Sequence, residues 1–205
     1  MNIFEAMETC RAMRKLKEDP VPYELLEKLI WAATRAPNAG NAQLWNFLVV
    51  TDDEGRQFLG DLLRSKLGTG LTQPKDPTTP QARQAHAFWQ LVTAFEKVPA
   101  IIFTCVKNEY PPVEPNPLFM SSSIYPATQN LLLAARSLGL GTVMTTFHIV
   151  DTEAIKAHFG IPSDVFIGAT IPIGYPEGSF GPVTRKPIEE VTHWEHWTPS
   201  EKKSL

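Results

Sequence analysis

Two cysteines in 205 residues are too few for a disulfide framework, and Cys10 and Cys105 lack the spacing of a metal-ligand pair. No apolar run reaches the roughly 18 residues needed to span a bilayer. The opening Met1-Asn2-Ile3-Phe4-Glu5 has no cationic stretch leading into an apolar one, so no secretory signal is expected and the cytoplasm is the expected compartment. With a formal net charge of −3 and no basic tail, nucleic acid is not an expected partner, and neither is a membrane. Ser121-Ser122-Ser123 stands outside a Gly-x-Ser-x-Gly elbow, which argues against a serine hydrolase. His193 and His196 have no Cys or carboxylate pattern around them to complete a zinc site, so no metal is expected. Gly139-Leu140-Gly141 follows a helix and precedes a strand, the reverse of a dinucleotide fingerprint.

What is present is a chain with 43% hydrophobic residues, enough to bury a core as one domain over residues 1–205. Ile3, Phe4 and Met7 repeat at helical spacing, and if that helix persists Arg11 and Arg14 share a face. A second helix starts with Pro22 in its first turn and buries Leu25, Leu26, Leu29, Ile30 and Ala33. Helical pattern continues over 54–67 and 81–97, with strands over 100–106 and 165–173. Between the first two of these helices, residues 68–81 carry Gly70, Pro74, Pro77 and Pro80 and form a candidate lid loop. A second proline-rich loop covers 108–118. The helix over 124–138 is apolar on every side through Leu131 to Ala135, which predicts burial all round, and Gly139 closes it. Asp151 is placed to cap a helix that ends near Gly160. Residues 175–205 read as an extended tail whose Trp194 and Trp197 need a surface to pack on, before it dissolves into polar residues at 200–203.

Two groups of polar residues stand out. In Ala36-Pro37-Asn38-Ala39-Gly40-Asn41-Ala42-Gln43-Leu44-Trp45 a helix gives way to an apolar strand through three amides, more than a turn needs, and each amide both donates and accepts. Such a loop suits a flat heteroaromatic ligand, and Gly40, lacking a Cβ, is the candidate substrate contact. Arg11, Arg14 and Arg185 lie far apart in sequence, and guanidinium forks are preferred partners of phosphate, so the three are able to surround one phosphate.

In their order these segments resemble the FMN-dependent nitroreductase superfamily, from Ala6 to Trp197. Cys10-Arg11-Ala12-Met13-Arg14 matches its Arg-Arg-Ser-x-Arg opening, and Ala36 to Trp45 its Ala-Pro-Ser-x-x-Asn-x-Gln-Pro-Trp loop. Gln129 to Ala135 with Gly139-Leu140-Gly141 matches its central helix and turn, and Gly174-Tyr175-Pro176 with Arg185-Lys186-Pro187 its closing motif. Gly141-Thr142-Val143-Met144-Thr145-Thr146 is most similar to the branch containing the iodotyrosine deiodinases.

The resemblance implies an α+β nitroreductase-like fold, a central mixed but mostly antiparallel sheet flanked by helices, in an intertwined homodimer with two FMN sites at its interface. It implies FMN as cofactor, NADH or NADPH as electron donor, and ping-pong reduction of nitroaromatics, quinones or another small planar acceptor. The residues it assigns to the cofactor are Arg11, Ala12, Met13, Arg14, Asn38, Asn41, Gln43, Met144, Thr145, Thr146 and Arg185, with Thr146 as the catalytic residue beside flavin N5. A deiodinase-like reductive dehalogenase and a non-catalytic FMN-binding or storage protein are the alternatives. Three departures bear on this. Cys10 and Ala12 replace an Arg and a Ser, so phosphate binding rests on Arg11, Arg14 and Arg185; Leu44 replaces a Pro; and the Glu, Tyr and Lys of the deiodinase lid are not placed within 68–95.

Overall fold

Strand alternation sets the layering. In the computed structural model, which describes residues 1–73 and 78–197, four strands form one sheet: β1 (Trp45–Val50), β2 (Ala100–Lys107), β3 (Gly141–Thr142) and β4 (Val165–Gly174). Their order is β1-β2-β4-β3 and each of these pairings is antiparallel; a single parallel bridge joins Ala12 to Thr142 at the β3 edge. Along β2, Ala100, Ile102 and Val106 enter one core, while Ile101, Phe103 and Cys105 enter the other, the period of two expected of a strand buried on both faces. The first core is closed by α2 (Tyr23–Ala33) and α5 (Pro117–Ser137), the second by α3 (Asp53–Leu67), α4 (Pro80–Thr93) and α6 (Thr152–Phe159). The fold is α+β, with helices on both faces of the sheet.

β4 changes phase partway. Val165 and Ile167 face the second core, but Ala169, Ile171 and Ile173 face the first. The cause is a bulge: Thr104 pairs with Ala169 and Cys105 with Ile167, leaving Gly168 as the extra residue. A Cβ at Gly168 would sit 3.2 Å from the Ile124 side chain, so the bulge presses the backbone against α5.

Several boundaries depart from the sequence reading. The first helix, α1 (Ile3–Thr9), stops before either arginine, so Arg11 and Arg14 share no helical face. Pro22 is the N-cap of α2 and lies outside its first turn. The long helix begins at Pro117 and not near Ile124, because Asn116 caps it by accepting from the Leu118 N–H at 2.9 Å. It is also not enclosed all round: Leu118, Ser122, Tyr125 and Gln129 form an exposed face, and Leu133 and Ala134 are half-buried. Its end follows the expectation, with Gly139 at φ +78° and the Leu140 N–H donating to Ala135 O at 2.8 Å. Asp151 caps α6 by accepting from Ala154 N–H at 3.1 Å. The candidate lid loses its end to α4, which starts at Pro80, and its residues 74–77 lie outside the described residues, as do tail residues 198–205. Among the described residues no helix is long and apolar enough to cross a membrane.

Candidate functional site

The two ends of the chain build the site together. Lys17 N–H donates to Tyr175 O at 2.8 Å, Glu177 N–H to Lys15 O at 3.1 Å and Val183 N–H to Glu8 O at 2.8 Å, while Leu16 bridges Pro176. Paired positions sum to a nearly constant value, so 8–17 and 175–183 run antiparallel. Residues of both segments, together with the first turns of α4, line a cavity of about 780 Å³. Small residues permit the approach: a Cβ on Gly141 would meet Leu16 at 2.9 Å, Met13 at 3.0 Å and Pro176 at 3.2 Å. A Cβ on Gly174 would meet Pro99 at 2.9 Å. The Gly-Leu-Gly turn and the Gly-Tyr-Pro segment thus dock the arginine-bearing stretch onto β3, where the Met13 N–H donates to Thr142 O at 2.8 Å.

Arg11, Arg14 and Arg185 all line this cavity, as do Ala12 and Met13. Their convergence depends on strand-like pairing and not on a helix. α4 adds Arg83, which the sequence did not single out because nothing local marks which face of that helix turns inward. Among the described residues no Asp or Glu lines the cavity and none of the four guanidinium groups makes an ion pair. Arg14 is half-buried, and desolvation pulls its pKa below the ordinary guanidinium value. The tail is held where Arg185 is useful: Phe180 lies under the Arg136 guanidinium, 4.1 Å from carbon to ring centroid, and Arg136 Nε donates to Thr9 Oγ1 at 2.8 Å. Cys10 packs beside this anchor, its thiol pKa raised by burial and partly offset by Arg136.

The threonine segment continues from β3 along the same sheet edge. Thr145 is held by Thr170: its Oγ1 donates to Thr170 O at 2.7 Å and the two backbones exchange hydrogen bonds at 3.0 and 3.1 Å. Behind it His148 Nδ1 lies 3.2 Å from Thr170 Oγ1 in an apolar setting that lowers its pKa by desolvation. Met144 and Thr146 are exposed, and the Thr146 hydroxyl has no partner among the described residues.

The amide loop is elsewhere. Asn38 turns inward on its own loop, its Oδ1 accepting from the Gln43 N–H at 2.9 Å, and the Ala39 N–H donates to Ser123 Oγ on α5 at 3.2 Å. Gly40, Asn41 and Gln43 all have φ between +50° and +57°, a tight left-handed path that exposes the Asn41 and Gln43 side chains. The space above Gly40 is filled by the Tyr110 ring, 2.4 Å from where a Cβ would be. This loop feeds β1, at the opposite sheet edge from β3. Trp45 pairs with Val106 and Val106 with Phe166, whereas Thr142 pairs with Ile173. Three strand spacings across and seven residues along put the loop about 14 Å away in one direction and about 20 Å in the other. Asn38 and Gln43 line a small separate hollow with Tyr110 and Ser123, whereas Arg11, Arg14 and Arg185 line the large cavity.

Known proteins share this arrangement of segments. The profile of the Nitroreductase family matches residues 8–175. The chain is 30% identical over 200 residues to a putative NADH dehydrogenase/NAD(P)H nitroreductase of Methanothermobacter thermautotrophicus, covering 96% of this chain and 88% of the relative. It is 22% identical over 189 residues to the iodotyrosine deiodinase of Thermotoga neapolitana, covering 92% and 95%. Among solved structures, a BluB-like flavoprotein from Clostridium difficile 630 superposes with a TM-score of 0.69 at 25% identity, covering 96% of this chain and all of that one.

Proposed function

The chain belongs to the nitroreductase family, and on that premise we propose that it is an FMN-dependent oxidoreductase that uses NADH or NADPH to reduce nitroaromatics, quinones or related planar acceptors. One observation carries the reading. A cavity of about 780 Å³, within the range of cofactor sites, is lined by guanidinium groups from both chain ends and, among the described residues, by no carboxylate. Such a wall fits a phosphate monoester, since each charge-assisted hydrogen bond contributes about 1.5–3 kcal/mol. Arg11, Arg14 and Arg185 hold that phosphate, with Ala12 and Met13 beside it. Thr146, whose hydroxyl is uncommitted, is the side chain available at the flavin edge, and Thr170 fixes the neighbouring Thr145. FMN supplies, when bound, the passage of reducing equivalents from nicotinamide to acceptor. The residues around it bind, orient and screen.

The separation of amides from arginines supports a site shared between two copies. One ligand contacts both groups only if Asn38, Asn41 and Gln43 come from a second chain. The exposed apolar residues that such a partner would cover are Ile3, Phe4 and Met7 on α1, with Leu118 and Tyr125 on α5. We therefore place two equivalent sites at a homodimer interface.

The test is spectroscopic first. Purified protein is expected to be yellow and to bleach with NADH or NADPH, then recover with a nitroaromatic or quinone. Colourless protein that takes up no added FMN would refute the proposal. Release of halide from iodotyrosine with no turnover of nitroaromatics or quinones would replace the acceptor class with a halogenated one.

A further inference from the structure

The cavity carries more positive charge than one phosphate uses. Arg11, Arg14 and Lys15 come from the N-terminal segment, Arg185 from the tail, and Arg83 from the separate wall formed by α4. A phosphate monoester brings about −1.5 to −2, which leaves a surplus of about three charges. Arg83 donates to the carbonyl of Thr78 and to no carboxylate among the described residues. The first turn of α4 also lines the cavity through Pro80, and a helix N-terminus adds partial positive charge. The nearby carboxylates Glu18 and Glu177 line a smaller hollow of about 260 Å³ beyond Arg14 and Lys15, where Glu18 is bonded to Lys97 at 3.0 Å. Charge is therefore segregated, and among the described residues no carboxylate faces the Arg83 side of the cavity.

We propose that Arg83 is a specificity-determining residue that receives an anionic group, carboxylate or phosphate, on the molecule that exchanges electrons at this site, so that substrates bearing that group are preferred over those lacking it. This rests on the FMN oxidoreductase reading. The anion has two possible sources: a carboxylated acceptor, or the 2′-phosphate that distinguishes NADPH from NADH.

The experiment compares FMN-loaded wild type with Arg83→Gln and Arg83→Lys, using 4-nitrobenzoate against nitrobenzene and NADPH against NADH. Arg83 is exposed on a helix, so neither substitution disturbs the core. In Arg83→Gln, kcat/KM for the member of one pair that carries the extra anionic group is expected to fall about tenfold relative to the member that lacks it, the loss of one charge-assisted contact. Arg83→Lys is expected to recover much of the ratio, and added salt to shrink it in wild type. The pair that responds identifies the source. If Arg83→Gln leaves both ratios unchanged, or retains less FMN than wild type because Arg83 serves the cofactor phosphate, the proposal is overturned while the oxidoreductase reading stands. Wild type without bound flavin overturns both, and absorbance reveals that before any rate is measured.

Discussion

Gly141→Ala tests whether the docking of the two chain ends is what creates the cofactor site. The new methyl would lie 2.9 Å from Leu16 Cδ2, 3.0 Å from Met13 Cβ and 3.2 Å from Pro176 Cβ. The Leu16 tip is able to rotate away, but the other two atoms are fixed to backbone, so the 8–17 segment has to move off β3. Overpacking of this kind costs about 1–3 kcal/mol. Losing the Met13–Thr142 backbone bond adds about 1 kcal/mol. For a chain of this size a total of about 2–4 kcal/mol lowers Tm by about 5–15 °C. The effect on FMN is larger than the effect on folding, because the same shift carries Arg11 and Arg14 away from Arg185. Two charge-assisted contacts at about 1.5 kcal/mol or more each make the affinity loss about 100-fold or greater. Gly139→Ala is the control. Its φ is +78° with nothing within 4 Å of the added methyl, so it incurs a backbone cost of about 1–2 kcal/mol and no displacement of the arginine segment. Fluorescence titration of FMN beside a circular dichroism melt separates the two variants. Wild-type FMN affinity in Gly141→Ala, or an equal loss in Gly139→Ala, would contradict the argument.

Tyr125→Asp places a charge on the exposed face of α5; sedimentation is expected to show monomer, and FMN binding is expected to weaken with it, although Tyr125 lines no cavity described above. Native protein is expected to leave Cys105 unreactive toward a thiol reagent at pH 8, since burial pushes its pKa up to about 12, and to react at two sites only in urea. Burial lowers the pKa of His148 from the ordinary 6.5, so below that pH the unfolded chain binds more protons than the folded one. Stability is expected to fall as pH drops from about 7 towards 5. Urea midpoints across that window should show a shallower slope in His148→Gln, and an unchanged slope would remove His148 as the cause.

Much of the fold was legible because its signals are local. Asp151 and Gly139 mark a start and a stop by chemistry confined to a few residues, and the stripe through Leu26, Leu29 and Ala33 declares the buried face of α2. The start of α5 is also written locally: Asn116-Pro117 is a cap followed by a proline in the first turn, and Thr79-Pro80 repeats the pair at α4. The phase change in β4 was not legible in that way. An apolar run buried on both faces reads the same whether or not it slips, and only the pairing with β2 shows that Gly168 is extra.

The site divides along the same line. The three arginines were recognisable as one group, and Arg11, Arg14 and Arg185 do line one cavity, but the means of bringing them together was not legible, because it depends on contacts between positions some 160 residues apart, such as Lys17 with Tyr175. That pairing also bears on the replacement of a motif arginine by Cys10. In this chain Arg136 occupies the neighbourhood of Cys10, yet its guanidinium is committed to Thr9 and to the face of Phe180. It holds the tail at Phe180, five residues before Arg185. The cation lost from position 10 is therefore not restored as a ligand. Its place is taken by a contact that holds the tail on which Arg185, a proposed phosphate ligand, is carried.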